Sequence, residues 1–458
     1  MPDVKKTILV LCLFLTILSY FLLFPIYRPA QVDDVWTPSY VWNLTHMATY
    51  KDMVFGLDYS NNQYFGHTHA YITAFLADHF GWTHAVFHGF NLVCMLLAAP
   101  AWYLTGRRLL ASKSLSALAV IFIYLTEAFI GCAYTSRSDA LVFLYLSWGA
   151  FLASAGRFFL AALICSISVE VHAIGAIGYF YIGAFMASNF MQGETKNLKR
   201  IRVMLGPAAL GILIGFVFYR FIHHEPLKVI LDYLLKSNQF RYEGSFNALT
   251  AHYFHREYMR FIPELAFLLM GAGLFFRSSR SRESLKSPLV LLFLAALLAS
   301  VVIRRGNFKY VVFFYPPLFF LAVAGYWRAN LLKWAGAAFV VYCLTLVGLL
   351  TWQNRLIDRP AFDRDILLAV PKDERPIIGP SNAWFPLHER LFYENYEAWL
   401  KSKPKSGVIY FIDSPYTNRY SSLPPCAGPR LPVDGPPVTF NGAPVRVFSI
   451  DLGPCLEE

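Results

Sequence analysis

The sequence predicts a polytopic α-helical membrane protein of about 11 transmembrane helices, followed by a small α+β extracytoplasmic domain at its C-terminal end. Three observations predict it. Of 458 residues, 56% are hydrophobic and only 15% are charged, where a soluble chain carries about 25% charged residues. The apolar residues fall in runs long enough to cross a bilayer, and mean hydropathy is +0.44. After about residue 353 the runs give way to charges, prolines and short alternating segments. The net charge of +11 is spread between the hydrophobic runs. It therefore signals loop orientation under the positive-inside rule and excludes a nucleic-acid partner.

The first span, about 7–26, carries no charge and follows Lys5 and Lys6, which places the N-terminus inside. Its apolar run exceeds the roughly 7–15 residues of a signal core and no small-x-small site follows, so the helix is retained. Residues 27–84 form a long, aromatic, histidine-containing outer loop. Further spans lie at about 86–105, ending in Arg107-Arg108, at 114–133, and at 140–156, ending in Arg157. The stretch 158–190 is broken only by Glu170 and His172, and cytoplasmic-type basic residues (Lys196, Lys199, Arg200, Arg202) follow it. With both ends on one side it makes two short crossings, and Glu170 and His172 fall at the outer turn. Spans that short are stable when protein surrounds them. The remaining spans are about 204–222, 259–276, 288–303, 311–327 and 334–352, with Arg277, Arg280, Arg282 and Lys286 marking a cytoplasmic loop.

The chain thus divides into a transmembrane part, 1–352, and an extracytoplasmic part, 353–458. In the latter, 407–412 and 445–450 alternate as strands do, whereas 421–443 is rich in Pro and Gly and is expected to be irregular. Five cysteines (Cys12, Cys94, Cys132, Cys165, Cys343) sit in apolar runs as small core residues. Cys426 and Cys455 lie in the polar tail, where an oxidising compartment permits a disulfide between them.

Several basic residues stand on the side that orientation does not explain. Arg137, Arg220, Arg304, Arg305 and Lys309 all fall at outer ends of spans, and 304–310 is the densest group. Singly, each reads as a snorkelling side chain. Together they line an outer cavity suited to phosphate, which the guanidinium fork matches bidentately. The histidines share the bias. His67 with His69, and His252 with His255, have spacings open to a divalent metal, but no CxxC or HExxH context accompanies them. Hydrogen-bonded loop histidines are the simpler account, and the sequence implies no certain cofactor.

The most pointed feature is Asp33-Asp34, just beyond the first span. Thr37-Pro38 follows as an N-cap and a first-turn proline, which starts an amphipathic surface helix through Val41, Trp42, Leu44 and Met47. One carboxylate before a helix N-terminus is favourable by charge alone. The second suggests a general base for an acceptor hydroxyl.

Here the chain resembles the GT-C glycosyltransferases, in the branch of the protein O-mannosyltransferases and the lipid A aminoarabinose transferase. The motifs run in order: Asp33-Asp34-Val35-Trp36-Thr37 after one span, Ser136-Arg137-Ser138-Asp139-Ala140, Glu170-Val171-His172-Ala173-Ile174-Gly175, and Lys309-Tyr310 through Tyr315-Pro316-Pro317. The family often has Asp-Glu at the first motif. The resemblance implies a sugar donor on a polyprenyl phosphate, a lipid, polysaccharide or protein acceptor, and a site at the outer face of a bacterial inner membrane. It implies that Asp33 or Asp34 is the base. Arg137, Asp139, His172, Arg304, Arg305, Lys309 and Tyr310 would bind the substrate and its phosphate. Two other classes remain open on sequence. A transporter or lipid flippase would place charges at the bilayer midplane in related halves, and an anchored assembly protein would need far fewer spans.

Overall fold

The computed structural model describes residues 2–23, 32–47, 51–52, 54, 57–58, 66–192, 198–223, 261–278, 286–302, 308–402, 404, 407–414 and 423–456. Helices α1 (Pro2–Leu23) and α2 (Val32–His46) precede a two-residue hairpin of β1 (Lys51–Asp52) and β2 (Leu57–Asp58). Then come α3 (His67–Phe80), α4 (His84–Leu110), α5 (Lys113–Leu125), α6 (Glu127–Ala133), α7 (Asp139–Ser154), α8 (Phe158–Val171), α9 (Ile177–Met191) and α10 (Leu198–His223). After the next break lie α11 (Ile262–Ser278), α12 (Pro288–Val302), a 3-10 turn Phe308–Phe313, α13 (Tyr315–Arg328) and α14 (Leu332–Gln353). Among the described residues four helical stretches are long and apolar enough to cross a membrane: His84–Leu110, Ala173–Met191, Arg202–Ile222 and Leu332–Gln353.

The fifth candidate is broken. The span expected over 114–133 is α5 and α6, bent by 71°. Thr126 makes the break. It is fully buried and its backbone is extended, so α5 stops there. Its hydroxyl then accepts the Phe129 N–H at 3.4 Å, an N-cap that starts α6. The stretch 158–190 does form two helices, with Glu170 in the last turn of α8 and His172 between α8 and the 3-10 turn that leads into α9.

Small residues let the helices approach closely. α10 packs along α8 through Gly211 and Gly215, where an added Cβ would strike the Phe159 carbonyl and the Ser166 side chain. This small-xxx-small spacing is a common membrane-helix contact, because lipid supplies no hydrophobic drive and close packing must.

The outer segment differs from expectation in two ways. Residues 27–84 hold helices as well as loop. α2 begins at Val32, so Asp33 and Asp34 lie within its first turn and Pro38 inside the helix rather than at its start. Nor is α2 a surface element. Val35, Tyr40 and Val41 are buried in an apolar cluster shared with Phe362, Ala383, Trp384 and Phe385 of the C-terminal region, so both sides of this helix meet protein.

After α14, Asp358 caps α15 (Arg359–Ala369) by accepting the Ala361 N–H at 3.0 Å. A mixed sheet follows. Its strands are β3 (Ile377–Ile378), β4 (Phe392–Tyr393), β5 (Val408–Asp413), β6 (Leu431–Pro432), β7 (Val438–Phe440) and β8 (Ala443–Asp451), with α16 (Tyr396–Lys401) between β4 and β5. The order is β4-β3-β5-β8-β6, and β7 pairs with β8. β3 runs parallel to β4 and β5, whereas β5 and β8 are antiparallel with Tyr410 opposite Ser449. The Pro- and Gly-rich stretch 421–443 is more ordered than expected, since β6 and β7 lie within it. Cys426 and Cys455 form a disulfide with Cα atoms 5.3 Å apart.

Candidate active site

The turn between α6 and α7 carries Arg137, and three elements fix it. Asn91 on α4 donates its amide to the Arg137 carbonyl at 2.8 Å and also to the Thr135 carbonyl. The Tyr134 hydroxyl donates to the Tyr20 carbonyl at 2.5 Å, which ties this turn to the end of α1. Asp139, the first residue of α7, takes Arg137 Nε at 2.7 Å. Its charge also suits a helix N-terminus. Both side chains are buried, at 8% and 3% exposure, so the ion pair is held away from water.

The second fork nitrogen of Arg137 reaches across the molecule. Nη2 donates to the Tyr310 hydroxyl at 3.1 Å, and the guanidinium lies 5.7 Å from the centre of the Tyr310 ring. His172 Nε2 lies 3.3 Å from the same hydroxyl. The tautomer follows from the other ring nitrogen. His172 Nδ1 accepts the Ile174 N–H at 3.1 Å, so a neutral ring carries its hydrogen on Nε2 and donates it to Tyr310. The extended backbone of His172 ends α8 and lets this contact cap the 3-10 turn Ala173–Ala176. Gly175 is needed there, because a Cβ would strike Ser168.

The Tyr310 segment is pinned beyond the hydroxyl. Tyr181 on α9 donates to the Phe313 carbonyl, and Tyr315 donates to Glu264 on α11. Glu264 is 1% exposed. Sequence reasoning passed over it and Asn91; the available signal was a polar group inside an apolar run.

Glu170 is fully buried and binds the start of α3. Its Oε1 accepts the Thr68 N–H at 3.3 Å, and Gly66 N–H donates to the Val171 carbonyl at 3.2 Å. A Cβ on Gly66 would lie 2.5 Å from Val171 Cα, so only glycine permits this docking. The carboxylate thereby meets the positive end of α3. His67 and His69 begin that helix and are both buried. Residues two apart on a helix point about 200° from each other, so the pair does not present two imidazoles to one ion. His69 instead lies against Phe90, and burial pushes its imidazole down to about 4 against the opposing Glu170 charge. Among the described residues no three His, Cys, Asp or Glu side chains are grouped to hold a metal. His252 and His255 lie outside the described residues.

Of the expected site residues, Arg137, Asp139, His172 and Tyr310 therefore meet in one buried network. Arg304 and Arg305 lie outside the described residues, as do the side chains of Lys309, Asp33 and Asp34.

Comparison with solved structures decides the fold. ArnT from Cupriavidus metallidurans in the apo state superposes with a TM-score of 0.61 at 12% identity, covering 96% of this chain and 98% of that one. ArnT bound to undecaprenyl phosphate gives 0.59 at 12% identity, covering 96% and 97%. The chain has the ArnT fold. It shares that fold almost end to end. No protein-family model and no curated protein matches the sequence. Within the ArnT fold, the Arg137 network joins the α6–α7 turn, the α8–α9 turn and the 3-10 turn before α13.

Proposed function

We propose that the chain is a membrane glycosyltransferase that moves a sugar from a polyprenyl-phosphate donor to a lipid, polysaccharide or protein acceptor at the outer face of a bacterial inner membrane. The observation that carries this reading is the convergence of Arg137, His172 and Tyr310 on one hydroxyl, inside the fold of a protein solved with undecaprenyl phosphate bound. On this reading about eleven crossings place the N-terminus in the cytoplasm and residues 353–458 outside it. A hexosyl or pentosyl donor suits such a site.

The chemistry divides among charged groups of opposite sign. The acceptor oxygen attacks the anomeric carbon while a carboxylate of Asp33 or Asp34 takes its proton. The bond from the anomeric carbon to the phosphate oxygen breaks, configuration inverts, and polyprenyl phosphate leaves with the bonding electrons. Negative charge grows on that leaving phosphate. Arg137 meets it with one charge that Asp139 already offsets, so Arg304, Arg305 and Lys309 supply the excess positive charge. Tyr310 and His172 keep the Arg137 fork turned toward the phosphate without adding charge, which is what preorganised stabilisation requires.

The test is direct. Asp33→Asn and Asp34→Asn, singly and together, are compared with wild type for transfer of labelled sugar from a polyprenyl-phosphate donor in membranes with matched protein levels. The reading predicts that at least the double variant is inactive. Full activity in all three variants contradicts it.

A further inference from the structure

The C-terminal region holds a polar side chain that no feature above uses. Asn382 is 2% exposed, and neither its amide nitrogen nor its amide oxygen has a hydrogen-bond partner among the described residues. A buried amide without partners costs about 1–3 kcal/mol for each unpaired group, so proteins seldom keep one without use.

Its place in the fold suggests that use. β3 ends at Ile378, flanked by β4 and β5, both parallel to it. Gly379 N–H continues the ladder to the Tyr393 carbonyl at 3.0 Å, and Asn382 follows in the 3-10 turn Ser381–Ala383. Asn382 therefore sits at the carboxyl edge of parallel strands, where open sheets form ligand crevices. That edge faces the outer segment of the membrane part. The Ser381–Ala383 turn packs on α2, the helix whose first turn contains Asp33 and Asp34. The next strand end, Glu394, donates its N–H to the Val54 carbonyl at 2.8 Å.

We infer that Asn382 binds a hydroxyl group of a carbohydrate acceptor, which makes the C-terminal region the acceptor-holding half of the site. This inference rests on the transferase reading above. The chemistry favours hydroxyls over phosphate. An amide offers two donors and an acceptor, and a sugar hydroxyl both donates and accepts, whereas phosphate oxygens only accept. A carboxylate, Glu394, follows directly on β4, and its charge disfavours an anion there.

Asn382→Leu tests it, because the variant keeps the bulk of the side chain and removes only the amide. Sugar transfer is titrated with phosphatidylethanolamine vesicles carrying rising mole fractions of glycolipid extracted from the host envelope. Undecaprenyl phosphate binding and Tm are measured on the same protein. The expected result is a half-saturating glycolipid fraction raised about tenfold, unchanged undecaprenyl phosphate affinity, and a Tm equal to or above wild type. A lowered Tm contradicts the inference, because the amide then has a structural partner. Loss of undecaprenyl phosphate binding contradicts it as well, since Asn382 then serves the donor. An unshifted glycolipid curve, with wild-type transfer intact, overturns this inference alone. Wild-type protein that moves no sugar from the lipid donor overturns the transferase reading and this inference with it.

Discussion

The hydroxyl of Tyr310 lies 3.1 Å from Nη2 of Arg137, although 173 positions separate the two residues. His172 approaches the same oxygen at 3.3 Å from a third part of the chain. A single hydroxyl thus joins three turns that sequence separates widely. Tyr310→Phe keeps the ring and the burial but removes this junction. A hydrogen bond to a charged partner is worth about 1.5–3 kcal/mol, so transfer should fall roughly tenfold to a hundredfold, read as initial rates at saturating acceptor. A rate within twofold of wild type would show that the junction does not hold the fork.

Glu170 should matter to stability through α3. Glu170→Ala leaves the Thr68 N–H buried without its carboxylate, a loss of about 1–3 kcal/mol. Glu170→Gln retains an acceptor oxygen for the Thr68 N–H and should lose less, giving up only the charge toward the α3 N-terminus. Thermal unfolding of the two variants in detergent checks the order. An equal loss in both would mean that charge, not the hydrogen bond, sets the contact.

The turn around Glu170 and His172 was legible in sequence because the charges on either side of 158–190 demanded two crossings. Strands β5 and β8 were legible from short segments rich in β-branched and aromatic residues, set among Pro and Gly. Other features were not. Thr126 breaks a span without Pro or Gly, and its effect depends on a hydroxyl contact three residues on. The polar, histidine-bearing start of α3 gave no helix signal because its N-terminus is stabilised from outside, by Glu170. Pro38 looked like a helix start, but apolar contacts with the C-terminal region order the preceding turn as well. The meeting of Arg137 with Tyr310 is a property of packing, and no spacing rule encodes it.

The C-terminal region should show a pH-dependent stability set by Asp363. Burial raises its carboxyl to about 6, with the Arg359 cation opposing. A carboxyl whose folded value is raised binds its proton more readily in the folded state. Its contribution therefore favours folding at low pH and is lost as pH rises from about 4, the ordinary value, to about 6. Asp363→Asn should flatten the change in Tm across that window. The Asp373 carboxyl behaves oppositely. Burial alone would raise it, but hydrogen bonds from Arg375 and Tyr410 hold it at about 2. Its contribution is present above about 4 and fades only toward pH 2. An Asp363→Asn profile parallel to wild type would assign the dependence elsewhere.

The Cys426–Cys455 disulfide closes a loop with a sequence separation of 29. A cross-link of that length stabilises by about 3–4 kcal/mol on the chain-entropy model. The five remaining cysteines are free thiols, so a reductant has only this bond to act on. Reduction should lower Tm of the wild type and leave Cys426→Ser/Cys455→Ser unchanged. An equal fall in both would place the reductant's effect outside this pair.

The most direct measurement of the central claim is the affinity of undecaprenyl phosphate for wild type, Arg137→Lys and Arg137→Gln in nanodiscs. If Arg137 holds the phosphate with its fork turned by Tyr310 and His172, the Gln variant binds at least about tenfold more weakly. The Lys variant falls between, because it keeps charge but loses the fork. Equal affinity across all three would contradict the claim.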